Sequence, residues 1–162
     1  MDLEEFNSAP TDRLRPELAA CCDVPRWVDA ILAKRPYGDL AALTAVADQS
    51  LRELDDDEVD RALQAHPRIG DRPQGASTEA AWSRNEQAGV GDDARQELAE
   101  GNRQYEERFG RVFLICATGL SAQDMLTSLR RRLTHDDAIE VAVVREELRK
   151  IALLRLAKVV DA

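Results

Sequence analysis

Apolar residues recur at three- and four-residue intervals along most of this chain, which is the spacing of one face of an α-helix. The clearest stripe lies near the C-terminus, where Val144, Leu148, Ile151 and Val159 share a face. Strict alternation of apolar and polar residues, which is typical of half-buried strands, is almost absent. The pattern therefore predicts helices separated by short breaks.

Capping residues and helix breakers divide this pattern into elements. Thr11 is expected to cap the second helix, and Asp92 or Asp93 is expected to cap a long helix in the middle of the chain. Together the elements predict an all-α, single-domain bundle of about eight helices over residues 1–162, with a short extended segment near 111–116.

The longest irregular stretch runs from Pro67 to Ser77 and contains two prolines and two glycines. This composition favours a turn-rich loop. A loop of this length inside a compact helical domain is more often functional than a short connection is. The residues that flank this stretch are therefore candidates for functional chemistry.

Charge and composition exclude several classes of protein. The chain has 162 residues, with 22 basic and 31 acidic side chains and a formal net charge of −9. Nucleic-acid binders usually present a basic face, so we expect no nucleic-acid partner. No apolar run approaches the roughly 18 residues of a membrane-spanning helix, and the acidic N-terminus is unlike a signal peptide. The three cysteines form a poor disulfide framework. We expect a cytoplasmic protein with no membrane partner.

Cofactor motifs are missing from the sequence. It contains no P-loop, no glycine-rich dinucleotide fingerprint and no nucleophile elbow. Its two histidines do not form a metal site at their spacing from cysteines and carboxylates. We therefore expect neither a cofactor nor a metal, and acid–base chemistry by ordinary side chains is the enzymatic interpretation that is left.

Two side chains near the irregular stretch are candidates for such chemistry. Pro67 disfavours helical backbone before it, so His66 is expected at a helix end, and an imidazole exchanges protons near neutral pH. The alternative is a structural histidine that hydrogen-bonds the last carbonyls of the helix. Glu86 follows Trp82 by one helical turn, and the indole would partly desolvate it. The alternative is a solvated helix glutamate.

Arg155 is the third candidate, because it falls within the apolar stripe of the last helix. It lies four residues after Ile151 and four before Val159. Burying an unpaired charge is costly, so this guanidinium needs a partner. The partner is either a structural carboxylate or an anionic ligand.

Four groups of residues occur in order along the chain: His66-Pro67-Arg68-Ile69-Gly70, Ser83-Arg84-Asn85-Glu86-Gln87-Ala88-Gly89, Asn102 and Tyr105 followed by Arg108-Phe109-Gly110, and Lys150-Ile151 followed by Leu154-Arg155-Leu156. They resemble the HPxxG, SxxEQxG, NxxY…RFG and KIxxLRL motifs of the 2-oxo-4-hydroxy-4-carboxy-5-ureidoimidazoline (OHCU) decarboxylases. The resemblance covers about residues 3–160. It departs at His135, where the family commonly has asparagine, and at Arg111, where an apolar residue is frequent.

The resemblance implies a cofactor-free decarboxylase that converts OHCU to (S)-allantoin in urate degradation. It implies that His66 is the acid–base group, that Glu86 accepts hydrogen bonds from substrate N–H groups and assists proton handling, and that Arg155 binds an anionic or carbonyl oxygen. The residues that it implies for substrate binding are Pro67, Ser83, Arg84, Asn85, Glu86, Gln87, Phe113, Leu114, Ile115, Cys116 and Ala117. Family members are often dimers, so a homodimer is open, although the pattern identifies no interface.

Two other interpretations stay open. The chain would be a non-catalytic helical interaction module of the urate pathway if His66, Glu86 and Arg155 did not converge. It would be a related acid–base enzyme if it acted on another ureido or imidazole compound. The sequence also leaves open whether Arg132 contacts substrate or only packs.

Overall fold

A computed structural model of the protein describes residues 1–71, 77–88 and 91–161. Over these residues the chain forms nine helices and no strand, which confirms the all-α prediction with one helix more than the approximate number expected. None of these helices is both long and apolar enough to cross a membrane. The helices are α1 (Leu3–Ser8), α2 (Thr11–Cys21), α3 (Pro25–Ala33), α4 (Leu40–Arg52), α5 (Asp56–Gln64), α6 (Thr78–Glu86), α7 (Asp92–Phe109), α8 (Ala122–Arg132) and α9 (Asp137–Val159).

Two of the predicted N-caps are wrong. Thr11 is the first residue of α2. The N-cap of α2 is Pro10, which has a non-helical backbone conformation with a φ of −59° and a ψ of 142°. The N-cap of α7 is Gly91, so Asp92 and Asp93 already belong to the helix.

The chain divides into two compact units. One comprises Met1–Ala62 with Arg149–Ala162, and the other comprises Leu63–Leu148. In the first unit, the indole N–H of Trp27 donates to the carbonyl of Ala47 at 3.0 Å in a buried hydrogen bond that joins α3 to α4. The single domain expected over the whole chain stays a prediction.

An apolar cluster forms the core of the second unit. It brings together the chain after α5, helices α7 and α8, and the segment between those two helices. Its members are Ile69, Leu98, Tyr105, Phe113, Ile115, Ala117, Met125, Leu126 and Leu129. Burial of these side chains in one cluster fixes Ile69 and the segment between α7 and α8 against the helices of this unit.

Residues 112–117 are assigned to neither helix nor strand. Four of them are nevertheless buried, namely Phe113, Leu114, Ile115 and Ala117. Buried irregular backbone needs partners for its N–H and C=O groups, because they are not satisfied by a regular ladder. Side chains supply such partners here, at Leu114 and Cys116. Of the other predicted irregular stretch, residues 72–76 lie outside the described residues.

Candidate active site

His66 lies two residues beyond the end of α5 and is half-buried. Its N–H donates to the carbonyl of Leu63 at 3.0 Å, which closes a final turn. Pro67 has no N–H to continue the helix and disfavours helical backbone before it, so the helix cannot extend through this point. The prediction that His66 stands at a helix end is confirmed.

The backbone after His66 turns at Gly70. Its φ of +95° is a conformation that side chains rarely adopt. The N–H of Gly70 donates to Oε1 of Gln87 at 3.0 Å. Gln87 is the C-cap of α6, and its own N–H donates to the carbonyl of Ser83 at 3.2 Å. This pairing brings the chain that follows His66 to the end of the helix that carries Glu86.

Five consecutive residues of α6 and its C-cap were expected to bind substrate, and they fall on two faces. Ser83 is buried, while Glu86 and Gln87 are half-buried, which agrees with their three- and four-residue spacing. Arg84 and Asn85 are exposed. The inner face of α6 therefore offers a hydroxyl, a carboxylate and a carboxamide.

The backbone of the segment Phe113–Ala117 is held by charged side chains at two points. The carbonyl of Leu114 accepts a hydrogen bond from Nη1 of Arg132 at 2.6 Å. The N–H of Cys116 donates to Oε1 of Glu147 at 3.2 Å. One amide of the segment that was expected to bind substrate thus already holds a carboxylate from α9.

A buried network of polar side chains stands behind this segment. The carboxylate of Glu140 accepts hydrogen bonds from the hydroxyl of Tyr105 at 2.6 Å and from Nε of Arg132 at 2.7 Å. Nη2 of Arg132 lies 2.6 Å from the same oxygen but is not aligned for a hydrogen bond. Nδ1 of His135 lies 3.1 Å from the second carboxylate oxygen. Burial, followed by the bond to Glu140, raises the pKa of Tyr105 above its ordinary range.

Arg132 therefore has a packing role in the structure. Its guanidinium lies 4.5 Å from the centroid of the Phe113 ring and 5.7 Å from that of Tyr105. Both distances are within the range of cation–π contacts. With its carbonyl and carboxylate partners, these contacts fix the entry to the segment Phe113–Ala117.

Arg155 belongs to the other compact unit. It is 1% exposed, as its place in the apolar stripe predicted. Its Nη1 donates to the carbonyl of Ala20 at 3.0 Å. The neighbouring thiol of Cys22 is also buried, and burial raises its pKa to about 12 although the charge of Arg155 acts in the opposite direction.

In the described part of the chain, no group of three or more His, Cys, Asp or Glu side chains is placed so that it could hold a metal ion. Sequence analysis missed two residues that support the backbone of the site, Glu140 and Glu147. Glu140 and Glu147 lie on the α9 stripe with Val144 and Leu148, so the periodicity argument used for Arg155 would have found them. In the sequence, Asn102 stands out only as part of a motif.

Comparison with known proteins gives matches along nearly the whole chain. A family model described as OHCU decarboxylase matches residues 7–157. A putative 2-oxo-4-hydroxy-4-carboxy-5-ureidoimidazoline decarboxylase of Homo sapiens is 30% identical over 168 residues, which cover 100% of this chain and 97% of that protein. The decarboxylase of Amia calva is 29% identical and is covered to 95%, against 99% of this chain.

A bifunctional relative matches over part of its length. The uric acid degradation bifunctional protein of Arabidopsis thaliana is 31% identical over 148 residues, which cover 88% of this chain and 46% of that protein. The chain thus spans about half the length of this relative.

Solved structures agree with these matches. A crystal structure of an OHCU decarboxylase in the presence of (S)-allantoin has a TM-score of 0.75 at 27% identity and covers 88% of this chain and 96% of that one. A crystal structure of an (S)-allantoin synthase has the same TM-score at 17% identity, which shows likeness of fold over 99% of this chain and 55% of that one. The family model, the full-length relatives and the fold agree, and the chain belongs to the OHCU decarboxylase family.

Proposed function

We propose that this chain converts OHCU to (S)-allantoin and carbon dioxide, with His66 as the acid–base group. Membership of the decarboxylase family supports the reaction. The observation that carries the site assignment is the 3.0 Å hydrogen bond from the N–H of Gly70 to Gln87, which joins the loop of His66 to the helix of Glu86.

The substrate's own structure explains how the reaction proceeds without an added electron sink. OHCU carries a carboxyl and a hydroxyl group on the same carbon of an imidazoline ring. Loss of carbon dioxide breaks the bond between that carbon and the carboxyl carbon, and the electron pair moves into the ring's conjugated C=N system. Starting from the carboxylate, one proton is taken up for each carbon dioxide released. The enzyme must orient the carboxylate and deliver this proton to one face of the ring.

His66 suits the proton transfer because an imidazole gives and takes protons near neutral pH. Glu86 suits the ureido and ring N–H groups, since a carboxylate is an acceptor with two oxygens. Ser83 and Gln87 share its side of α6 and complete this polar face. Positioning of this kind is worth several powers of ten in rate when the reacting groups are held in register.

The segment Phe113–Ala117 is proposed to bind substrate oxygens through its backbone N–H groups. The N–H of Cys116 already donates to a carboxylate oxygen of Glu147. This part of the proposal therefore rests on the resemblance and on the other N–H groups of the segment. The role of Arg155 as a ligand for an anionic or carbonyl oxygen, and those of Pro67, Arg84 and Asn85 in substrate binding, rest on the resemblance.

Three broader expectations belong to the same proposal. Residues 1–162 act as one OHCU decarboxylase-like domain, which the match over residues 7–157 supports. The protein works in the cytoplasm, and none of its three cysteines is in a disulfide. It forms a homodimer, as is common in the family.

Circular dichroism tests the function directly. Urate is converted in situ by urate oxidase and hydroxyisourate hydrolase, and the dichroic signal of (S)-allantoin is followed with and without this protein. We expect rapid formation of one enantiomer, a loss of at least about a hundredfold in His66→Ala and a large loss in Glu86→Ala.

His135→Asn is the matched control, because it changes the chain's other histidine to the residue that the family commonly carries there. It should keep nearly full activity. A slow, racemic background from folded wild-type protein would overturn the proposed reaction and favour a non-catalytic module. Full turnover by both His66→Ala and Glu86→Ala would instead overturn the assigned roles.

A further inference from the structure

One face of α7 lies along residues 68–70, the loop that comes after His66. Leu98, Asn102 and Glu106 are spaced by four residues and so share this face. Leu98 and Ile69 belong to the same buried cluster. A Cβ atom at Gly70 would lie 3.5 Å from the Cβ of Leu98, so the backbone of the loop approaches the helix closely there.

Two side chains of this face bond to the loop. Nδ2 of Asn102 donates to the carbonyl of Ile69 at 2.7 Å, and both groups are buried. Nε of Arg68 donates to Oε1 of Glu106 at 2.6 Å. Three successive residues, Arg68 to Gly70, are therefore fixed along α7, immediately after His66-Pro67.

The two bonds differ in how strongly they can hold the loop. The side chain of Arg68 is 52% exposed, and exposed ion pairs contribute little because water and salt screen them. Asn102 is 3% exposed, so its hydrogen bond with Ile69 is not exchanged with water. The buried amide therefore dominates the attachment of the loop to α7.

The two polar atoms of the Asn102 side chain differ in their partners, because its N–H donates to Ile69 and its oxygen does not accept a hydrogen bond from a described residue. Its Oδ1 is buried and makes no hydrogen bond to any described residue. A buried unsatisfied oxygen is unfavourable, so a leucine of similar size would fill the same space better if packing were all that mattered. What a leucine cannot supply is the N–H for the carbonyl of Ile69.

We propose that Asn102 is a positioning residue for His66. It touches none of the reacting atoms and acts by fixing the backbone three residues after His66, while Gln87 fixes the next residue from the α6 side. The two bonds hold the imidazole in register with the polar face of α6. This inference rests on the proposed function for its kinetic consequence, but its structural part can be tested without it.

The structural test uses the imidazole signals of the protein. The chain has two histidines, so two sets of imidazole resonances are expected, and His135→Asn assigns them. In Asn102→Leu, the signal of His66 should shift and broaden, with a changed titration midpoint, while that of His135 stays in place. Glu106→Gln is the matched control on the same helix face and should leave both signals unchanged.

The kinetic test separates positioning from binding. We expect Asn102→Leu to lower kcat roughly ten- to a hundredfold with KM within about threefold, because misplacement of a reacting group mainly costs turnover. Glu106→Gln should keep kcat within about twofold. Asn102→Asp has the shape of asparagine and, while ionised, cannot donate to Ile69. It should show the same shift of the His66 signal and a defect in kcat that lessens at low pH, where a protonated carboxyl can donate.

Each result decides the matter. A folded Asn102→Leu with wild-type His66 signals and wild-type kcat would overturn the inference. If both Asn102 variants fail to fold, the residue holds the fold rather than the site, and the inference is also wrong. If the wild-type protein does not decarboxylate OHCU, the proposed function fails, whereas the imidazole signals still decide whether Asn102 positions His66.

Discussion

Replacing Arg132 by methionine removes one partner of a buried ion pair and leaves the other in place. Arg132 is 2% exposed at its side chain and Glu140 is fully buried. Methionine fills much of the same space but carries no charge. Glu140 would keep its contacts with Tyr105 and His135. It would lose Arg132, which is always charged and is the only arginine or lysine among its described partners. The substitution therefore tests how much a stranded carboxylate costs this fold.

The expected cost follows from burial. Breaking a buried pair by removing one partner typically destabilises a protein by about 3–5 kcal/mol, because the remaining charge is desolvated without compensation. The carbonyl of Leu114 also loses its donor, which adds to the cost. For a chain of this size, such a loss corresponds to a fall in Tm of roughly 6–20 °C. Adding Glu140→Gln to Arg132→Met should recover part of it, since no stranded charge then remains.

Urea denaturation followed by far-ultraviolet circular dichroism measures this loss. Arg103→Met is the control, because Arg103 pairs with Glu100 on the exposed face of α7, where both side chains are more than half exposed. Exposed pairs contribute about 0–1 kcal/mol. If Arg132→Met cost no more than Arg103→Met, or if adding Glu140→Gln recovered nothing, the argument from a stranded buried charge would be refuted.

Three further perturbations test other parts of the structure. Gly70→Ala places a side chain at a φ of +95°, which costs about 1–2 kcal/mol. We therefore expect a lower urea midpoint and a lower kcat. Gly38→Ala is the control, because its Cβ meets open space, and it should change neither. A hydrogen bond from Arg26 lowers the pKa of Glu58 from 4.5 to about 2, so the stability it contributes is present above pH 4.5 and is lost as the pH falls toward 2; Glu58→Gln should flatten the pH profile of unfolding in that window. Cys116 is half-buried within the segment proposed to bind substrate, so (S)-allantoin should slow its alkylation, measured by mass spectrometry, and an unchanged rate would remove Cys116 from the site.

The helical architecture could be predicted because its signals are local. Pro25 occupies the first turn of α3, where its missing N–H costs nothing. At the start of α8, the hydroxyl of Ser121 accepts a hydrogen bond from the N–H of Asp124, and the carboxylate of Asp124 accepts one from the N–H of Ser121. This capping box follows from the position of Ser121 before an apolar stripe. Where two neighbouring residues can both begin a helix, as Pro10 and Thr11 can, local preference does not decide between them.

The site was harder to predict, because motifs identify residues without saying which way they face. Helical spacing alone separates Ser83, Glu86 and Gln87 from Arg84 and Asn85, and the observed burial follows that division. The bond between Gln87 and Gly70 joins residues 17 apart through a turn of positive φ. No periodicity describes such a contact, since it depends on where the irregular backbone leads.

Charged residues on the α9 stripe show where sequence reasoning ends. Glu140, Glu147 and Arg155 all lie among its apolar positions and are all buried. Because a buried charge without partners is unfavourable, each position predicts that a partner exists. The partners differ in kind: Glu140 binds the side chain of Arg132, Glu147 binds a backbone N–H, and Arg155 binds a backbone carbonyl. Those partners come from tertiary structure, so the stripe predicts the need for a partner and only the fold selects which group meets it.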